Sequence, residues 1–100
     1  MKNYVFVYYN EANPTDAPTA EAWGQWFGQL GEKIVDAGNP FNGNGQAVEK
    51  SGVTAIENYP ATGYTIVKAA TMDDAVKLAQ DCPLLVSRGA AVRVYEALPM

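Results

Sequence analysis

The sequence predicts a small α+β domain in which two helices cover one face of an antiparallel sheet. Three segments, residues 4–9, 63–69 and 91–97, are rich in the β-branched and aromatic side chains that strands favour. Two other segments carry apolar residues at helical spacing. The strands are apolar on both faces, so the sheet needs two covers, and a chain of 100 residues supplies only one layer of helices. We therefore expect a second copy of the chain to form the other cover.

Length and composition predict one domain over residues 1–100, with ordinary globular chemistry. The net charge of −4, without Lys/Arg clusters, argues against nucleic acid or an anionic membrane as a partner. No apolar run approaches the roughly 20 residues of a membrane span, and no secretory signal is visible at the N-terminus. There is no histidine, and Cys82 is the single cysteine. We expect no metal, no cofactor, no His-dependent hydrolase and a cytoplasmic location.

The first strand runs from Tyr4 to Tyr9, where side chains at alternate positions point to opposite faces of a sheet. Neither set is polar, which predicts a central strand. The following ten residues contain two prolines and form a loop.

A helix follows, with Thr19 or Asp16 as its N-cap and Gly38 as the glycine after its C-terminus. One apolar stripe is predicted along it, formed by Trp23, Trp26, Phe27, Leu30 and Ile34. Three glycines, at positions 24, 28 and 31, lie close to this stripe. Their interpretation is either close packing of the helix on the sheet or room for a ligand beside the tryptophans.

Residues 46–49 and 53–56 predict a polar edge hairpin, and residues 63–69 the next strand. Thr71 caps a second helix with Asp73 and Asp74 in its first turn, and Pro83 cannot continue that helix. Residues 91–97 form the last strand. The order corresponds to a ferredoxin-like β-α-β-β-α-β sandwich with an added hairpin.

The ordered set of segments resembles the YCII-related family of small proteins, including its DGPF-domain branch. The segments that carry the resemblance are Trp23-Gly24-Gln25-Trp26-Phe27, Asp36-Ala37-Gly38, Gly63-Tyr64-Thr65-Ile66, residues 73–79, Cys82-Pro83 and residues 92–100. The resemblance implies a homodimeric α/β barrel, with two sheets face to face and a cleft in each protomer. Related proteins look like enzymes that act on small organic molecules. A His-Asp pair is associated with catalysis in that family; here Asp73 represents the Asp, the His is missing, and residues 57–60 replace the Asp-Gly-Pro-Phe turn.

The aromatic side chains point to a binding site for a small apolar or aromatic molecule, with or without an anionic group. We expect the ligand to contact Tyr8, Trp23, Trp26, Phe27, Tyr64 and Arg93. Core filling by the tryptophans and an interfacial ion pair at Arg93 are the alternative interpretations of these residues.

Two other functions stay open. The first is a cofactor-independent isomerase, lyase or oxygenase, with Asp73 as the general base and Tyr64 or Arg93 stabilising an oxyanion. It requires Asp73 to be recessed in a cleft, whereas stabilisation of a helix end accounts for the same residue without catalysis. The second is a purely structural or regulatory dimer, which a filled interior would favour.

Overall fold

The structure is a computed structural model that describes residues 1–100. It contains two helices, two short 3₁₀-helical turns and six strands. In chain order these are β1 (Lys2–Tyr9), α1 (Ala20–Leu30), a 3₁₀ turn (Gly31–Lys33), β2 (Ile34–Asp36), β3 (Gln46–Glu49), β4 (Gly52–Ala55), β5 (Ala61–Ala69), α2 (Met72–Gln80), a second 3₁₀ turn (Pro83–Val86) and β6 (Ala91–Ala97).

Four of the strands form one antiparallel sheet in the order β2-β5-β1-β6. The α+β class and the central position of β1 are confirmed, and the strand order agrees with a ferredoxin-like arrangement. At the middle of the sheet, Phe6 lies opposite Thr65 on β5 and Val94 on β6. The hairpin β3-β4 forms a separate two-stranded sheet.

The core lies between the sheet and the two helices. It combines alternate residues of β1 and β5 with apolar residues of α1, α2 and the turn that follows α2. The buried set is Tyr4, Phe6, Tyr8, Trp26, Leu30, Val67, Ala69, Ala75, Ala79, Cys82 and Leu84. Neither helix is both long and apolar enough to span a membrane.

The first helix is shorter than the sequence predicts. It ends at Leu30, where Gly31 has a φ of 50° and donates its N–H to the carbonyl oxygen of Phe27. Ile34 therefore lies on the edge strand β2, opposite Val67, and not on the helical stripe. The strand was missed because Ile34, four residues after Leu30, continues the helical spacing of the apolar stripe.

Gly38 does not end a helix but has its own steric reason to be glycine. Its φ is 82°, and a Cβ atom placed on it would meet the backbone oxygen of Tyr64 at 1.6 Å. No other residue fits there without movement of β5.

Thr19 is the N-cap of α1, since its Oγ1 accepts a hydrogen bond from Ala22 N at 3.1 Å. Asp16, the other candidate, instead accepts the backbone N–H of Arg88 at 2.8 Å. Gly24 and Gly28 are exposed, and a Cβ atom on either would meet nothing within 4 Å. Neither interpretation of these glycines holds, because they lie on the solvent side of the helix.

The second helix begins as predicted. Thr71 Oγ1 accepts a hydrogen bond from Asp74 N at 3.1 Å, and Asp73 and Asp74 lie in the first turn near the positive helix end.

The sheet face away from the helices has no cover within the chain. Half-buried or exposed side chains on it are Val5, Val7, Tyr9, Tyr64, Ile66 and Tyr95. Arg93 also lies on this face, and its guanidinium carbon is 4.5 Å from the ring centroid of Tyr9. We refer to these seven residues as the open face.

Candidate functional site

A cavity of about 520 Å³ lies where β1 and β5 meet α1 and the segment 37–43. This volume falls within the range of small-molecule sites. Most of its wall is apolar, and the aromatic and proline residues that line it are Tyr8, Trp23, Phe27, Phe41, Tyr64, Pro14, Pro18, Pro40 and Pro60. Tyr8, Trp23, Phe27 and Tyr64 were predicted site residues, and all four line this cavity. Tyr64 does so although its side chain belongs to the open face.

The aromatic rings that line the cavity form two groups. On the helix side, Trp23 packs edge-on against Tyr8, with centroids 5.2 Å apart, and stacks on Phe27 at 5.9 Å. On the loop side, Phe41 lies 6.1 Å from Tyr64. Offset and edge-on pairs of this kind are favourable beyond the area that they bury. An apolar molecule in the cavity can therefore contact aromatic side chains of both groups.

Helical spacing explains the first group. Trp23 and Phe27 are four residues apart on α1, so they share one face of the helix above the end of β1. Both remain half-buried, whereas Leu30, further along the helix, is buried in the core. Trp23 and Phe27, nearer the N-terminus of α1 than Leu30, are thus only partly covered and can line the cavity.

Trp26 was also a predicted site residue, but it does not line the cavity. Only 3% of its surface is exposed, and its indole N–H donates to the carbonyl oxygen of Leu78 at 3.1 Å. Its ring lies 6.1 Å from Phe6 and 5.9 Å from Trp23. Trp26 therefore fills the core, where its ring packs against that of Trp23.

A buried hydrogen-bonded chain holds Tyr8 in place. The Tyr8 hydroxyl donates to Thr65 Oγ1 at 2.7 Å, and Thr65 donates in turn to the carbonyl oxygen of Ala37 at 2.9 Å. Burial raises the pKa of Tyr8 well above its usual range, against the smaller opposite effect of the bond to Thr65. The phenol is neutral at physiological pH, and its hydroxyl donates its one hydrogen bond to Thr65.

Two of the polar residues that line the cavity, Asn10 and Glu11, lie at the start of the loop after β1. Asn10 is 4% exposed, and its Oδ1 accepts the backbone N–H of Glu11 at 2.8 Å. The Glu11 carboxylate accepts a hydrogen bond from the Tyr59 hydroxyl at 3.5 Å. Sequence reasoning missed Asn10 and Phe41 because each lies in a polar loop whose path the sequence does not specify. The only hint was the position of Asn10 directly after a buried strand.

Asp36 adds a second carboxylate beside the cavity. It accepts the N–H of Gly38 at 2.8 Å and the hydroxyl of Tyr64 at 3.3 Å. These bonds join the start of the loop after β2 to strand β5. No lysine or arginine lines the cavity.

Arg93 and Asp73 lie away from the cavity. Arg93 is on β6, opposite Val7, and packs over Tyr9 on the open face. Asp73 is exposed in the first turn of α2. The prediction of one shared site is therefore revised: Arg93 does not line the cavity, and Asp73 is exposed and not recessed as a general base requires.

The structure offers no group of three or more His, Cys, Asp or Glu side chains placed to hold a metal ion. Fold and cavity together describe a small α+β domain with one aromatic-lined site. Comparison of the chain with protein-family models, with curated proteins and with solved structures gives no match.

Proposed function

We propose that this domain binds a small, largely apolar aromatic molecule in the cavity between β1, β5, α1 and residues 37–43. The observation that carries the proposal is the cavity itself, which is lined by five aromatic residues and has a volume of about 520 Å³. A molecule that leaves water for such a surface gains roughly 25 cal/mol for each Å² of apolar area buried.

The chemistry around the cavity favours binding over catalysis. The Tyr8 phenol is neutral and its hydroxyl donates to Thr65. Cys82 is buried in the core. Asp73, the only general base expected, is exposed on α2. No observation therefore favours the isomerase, lyase or oxygenase alternative, and an open cavity argues against a purely structural role.

Binding can be tested by NMR titration of the ¹⁵N-labelled protein with a neutral bicyclic aromatic probe, 2-acetylnaphthalene. We expect saturable shifts, and a variant Phe41→Ala that binds about twofold to tenfold more weakly, the range for loss of an aromatic contact. Phe41 is 47% exposed, so its truncation leaves the core intact. Val48→Ala, on the hairpin outside the cavity, is the matched control. Absence of saturable binding would contradict the proposal.

We propose further that two copies associate through the open face, which would give the dimeric α/β barrel of the YCII-related family. The support is physical: the central strand places Val5, Val7 and Tyr9 side by side, with Ile66 and Tyr95 on the neighbouring strands. A contiguous apolar surface of this kind is rarely left in water by a soluble monomer. A two-fold axis would place the same patch against itself.

Sedimentation velocity tests the dimer. At micromolar concentration we expect a species of twice the 10.8 kDa chain mass. Val7→Glu should convert it to a folded single chain, because the new carboxylate would be buried without a partner in the interface. Gln29→Glu, exposed on α1 at the opposite side of the sheet, is the control and should leave the dimer unchanged. A wild-type protein that sediments as a single chain would contradict the proposal.

A further inference from the structure

Asn10 is a buried polar side chain at the wall of the cavity, directly after β1. The residue is 4% exposed, and its backbone N–H donates to Pro60 O at 3.3 Å. Its Oδ1 accepts the N–H of Glu11 at 2.8 Å. That bond fixes the orientation of the carboxamide, since the reversed amide would place two donors face to face.

The amide nitrogen of Asn10 has no partner within the chain. None of the side-chain hydrogen bonds uses Nδ2, which is nevertheless not sealed from solvent-accessible space. Asn10 is one of the residues that line the cavity. Its amide nitrogen is therefore free to donate a hydrogen bond to a molecule bound there, and a ligand that displaced water from this donor without offering an acceptor would lose binding free energy.

The charges around the cavity limit what that acceptor can be. No lysine or arginine lines the wall, whereas Glu11 lines it and Asp36 lies next to lining residue Ala37. An anionic ligand would lose hydration without gaining a cationic partner, and would meet the Glu11 carboxylate. A neutral acceptor avoids both costs.

We infer that the occupant is a neutral aromatic molecule with a carbonyl-type oxygen, such as an aryl ketone, aldehyde, ester or amide. Asn10 Nδ2 donates a hydrogen bond to that oxygen while the aromatic rings contact the rest of the molecule. This inference rests on the proposed binding function and adds the ligand class and the residue that selects it.

Three naphthalene probes of similar size test the inference in NMR titrations: 2-acetylnaphthalene, 2-ethylnaphthalene and 2-naphthoate. The informative variant is Asn10→Asp, which keeps the oxygen that accepts from Glu11 and replaces the amide nitrogen. We expect this variant to weaken the binding of the ketone, 2-acetylnaphthalene, about threefold to tenfold, the range for one hydrogen bond. The affinity for the hydrocarbon, 2-ethylnaphthalene, should change by less than about twofold. If Asn10→Asp does not fold, the variant Asn10→Ser, which also removes the amide, is measured in its place.

The carboxylate probe tests the charge argument. We expect 2-naphthoate to bind the wild-type protein more weakly than the ketone, and Glu11→Gln to narrow the difference between the two affinities by improving the binding of 2-naphthoate. Equal losses for ketone and hydrocarbon in Asn10→Asp, or tighter binding of naphthoate than of the ketone, would overturn the inferred ligand class but leave the binding function standing. Failure of all three probes to bind the wild-type protein would overturn both.

Discussion

At the scale of single residues, Tyr8 links the core to the cavity. Its ring contributes to the cavity wall, and its hydroxyl is tied through Thr65 to the carbonyl oxygen of Ala37. The sequence indicated that Tyr8 belongs to an alternating strand, but it did not indicate the partner, because Thr65 is 57 residues away along the chain. Such partners depend on strand register, which one strand alone does not determine.

The first prediction concerns this chain of hydrogen bonds. Tyr8→Phe should lower the free energy of unfolding by about 0.5–1.5 kcal/mol, the usual net value of one hydrogen bond. Thr65→Val should cost more, about 1–3 kcal/mol, because it leaves the Tyr8 hydroxyl buried without an acceptor. Chemical denaturation of both variants and of the double variant measures the coupling. Additive losses would mean that the two hydroxyls do not interact.

Cys82 gives a prediction about pH. Burial raises the pKa of its thiol from 9.0 to about 11, against the smaller opposite effect of a backbone hydrogen bond from Leu84. The unfolded chain therefore loses this proton first, so the free energy of unfolding should fall as the pH rises from about 9 to about 11.

Tyr8, whose pKa is also raised, adds to the same trend at higher pH. The variant Cys82→Ala should make the decline between pH 9 and 11 shallower, as measured by urea denaturation at a series of pH values. An identical slope in the variant would show that the thiol ionises equally easily in both states.

At the scale of elements, α1 contains two glycines that the fold does not need. Gly24 and Gly28 are exposed, and a methyl group on either would meet nothing within 4 Å. Gly24→Ala and Gly28→Ala should each raise the free energy of unfolding by about 0.5–1 kcal/mol, because alanine restricts the unfolded chain and favours the helix.

Gly31 is the matched control in the same helix. Its φ of 50° lies in the left-handed region, so Gly31→Ala should destabilise the protein. Thermal unfolding of the three variants checks these expectations. Loss of stability in Gly24→Ala or Gly28→Ala would mean that another chain packs on that side of α1.

The hairpin β3-β4 is a separate element. Its strands pair only with each other, and two of its large side chains, Val48 and Val53, are exposed. Its ends meet, because Ile56 N donates to Gly45 O at 3.4 Å. Replacing residues 46–55 by an Asn-Gly turn should leave the four-stranded sheet folded, with a melting temperature changed by only a few degrees.

Circular dichroism and a thermal melt measure that outcome. A control with the same deletion plus Phe6→Ala should lose much more stability, because truncation of a buried phenylalanine costs about 3–5 kcal/mol. Unfolding of the hairpin deletion itself would show that β3-β4 supports the sheet.

At the scale of the whole molecule, the sequence predicted the class, the three long strands and the second helix well. Their signals are local: alternating aromatic residues in β1, the Thr71 cap of α2, and β-branched residues in β6. The edge strand β2 was missed because it has only three residues, and its pairing with β5 is non-local.

Part of the site could be predicted from the sequence. Trp23 and Phe27 are marked by helical spacing, and Tyr8 by strand alternation. Phe41 and Asn10 lie in loops, where position depends on contacts with distant strands such as that of Phe41 N with Thr62 O at 2.9 Å. Arg93 and Asp73 were assigned by residue type, and only the folded chain reveals on which side of the molecule each lies.

The whole chain is flat, with extents of 39 × 37 × 20 Å, and its two broad sides differ. Helices cover one side of the sheet and leave the cavity at one end, while the open face occupies the other side. We propose that the helix-covered side binds the ligand and that the open face mediates self-association.

Backbone amide shift mapping with 2-acetylnaphthalene tests the binding claim most directly, because it locates the ligand as well as detecting it. We expect the largest shifts around the cavity, at Glu11, Gly38, Phe41, Gly43 and Gly63. The hairpin and the open-face residues Val5 and Tyr95 should change little. Shifts centred on the open face, or no saturable shift at any residue, would contradict the account.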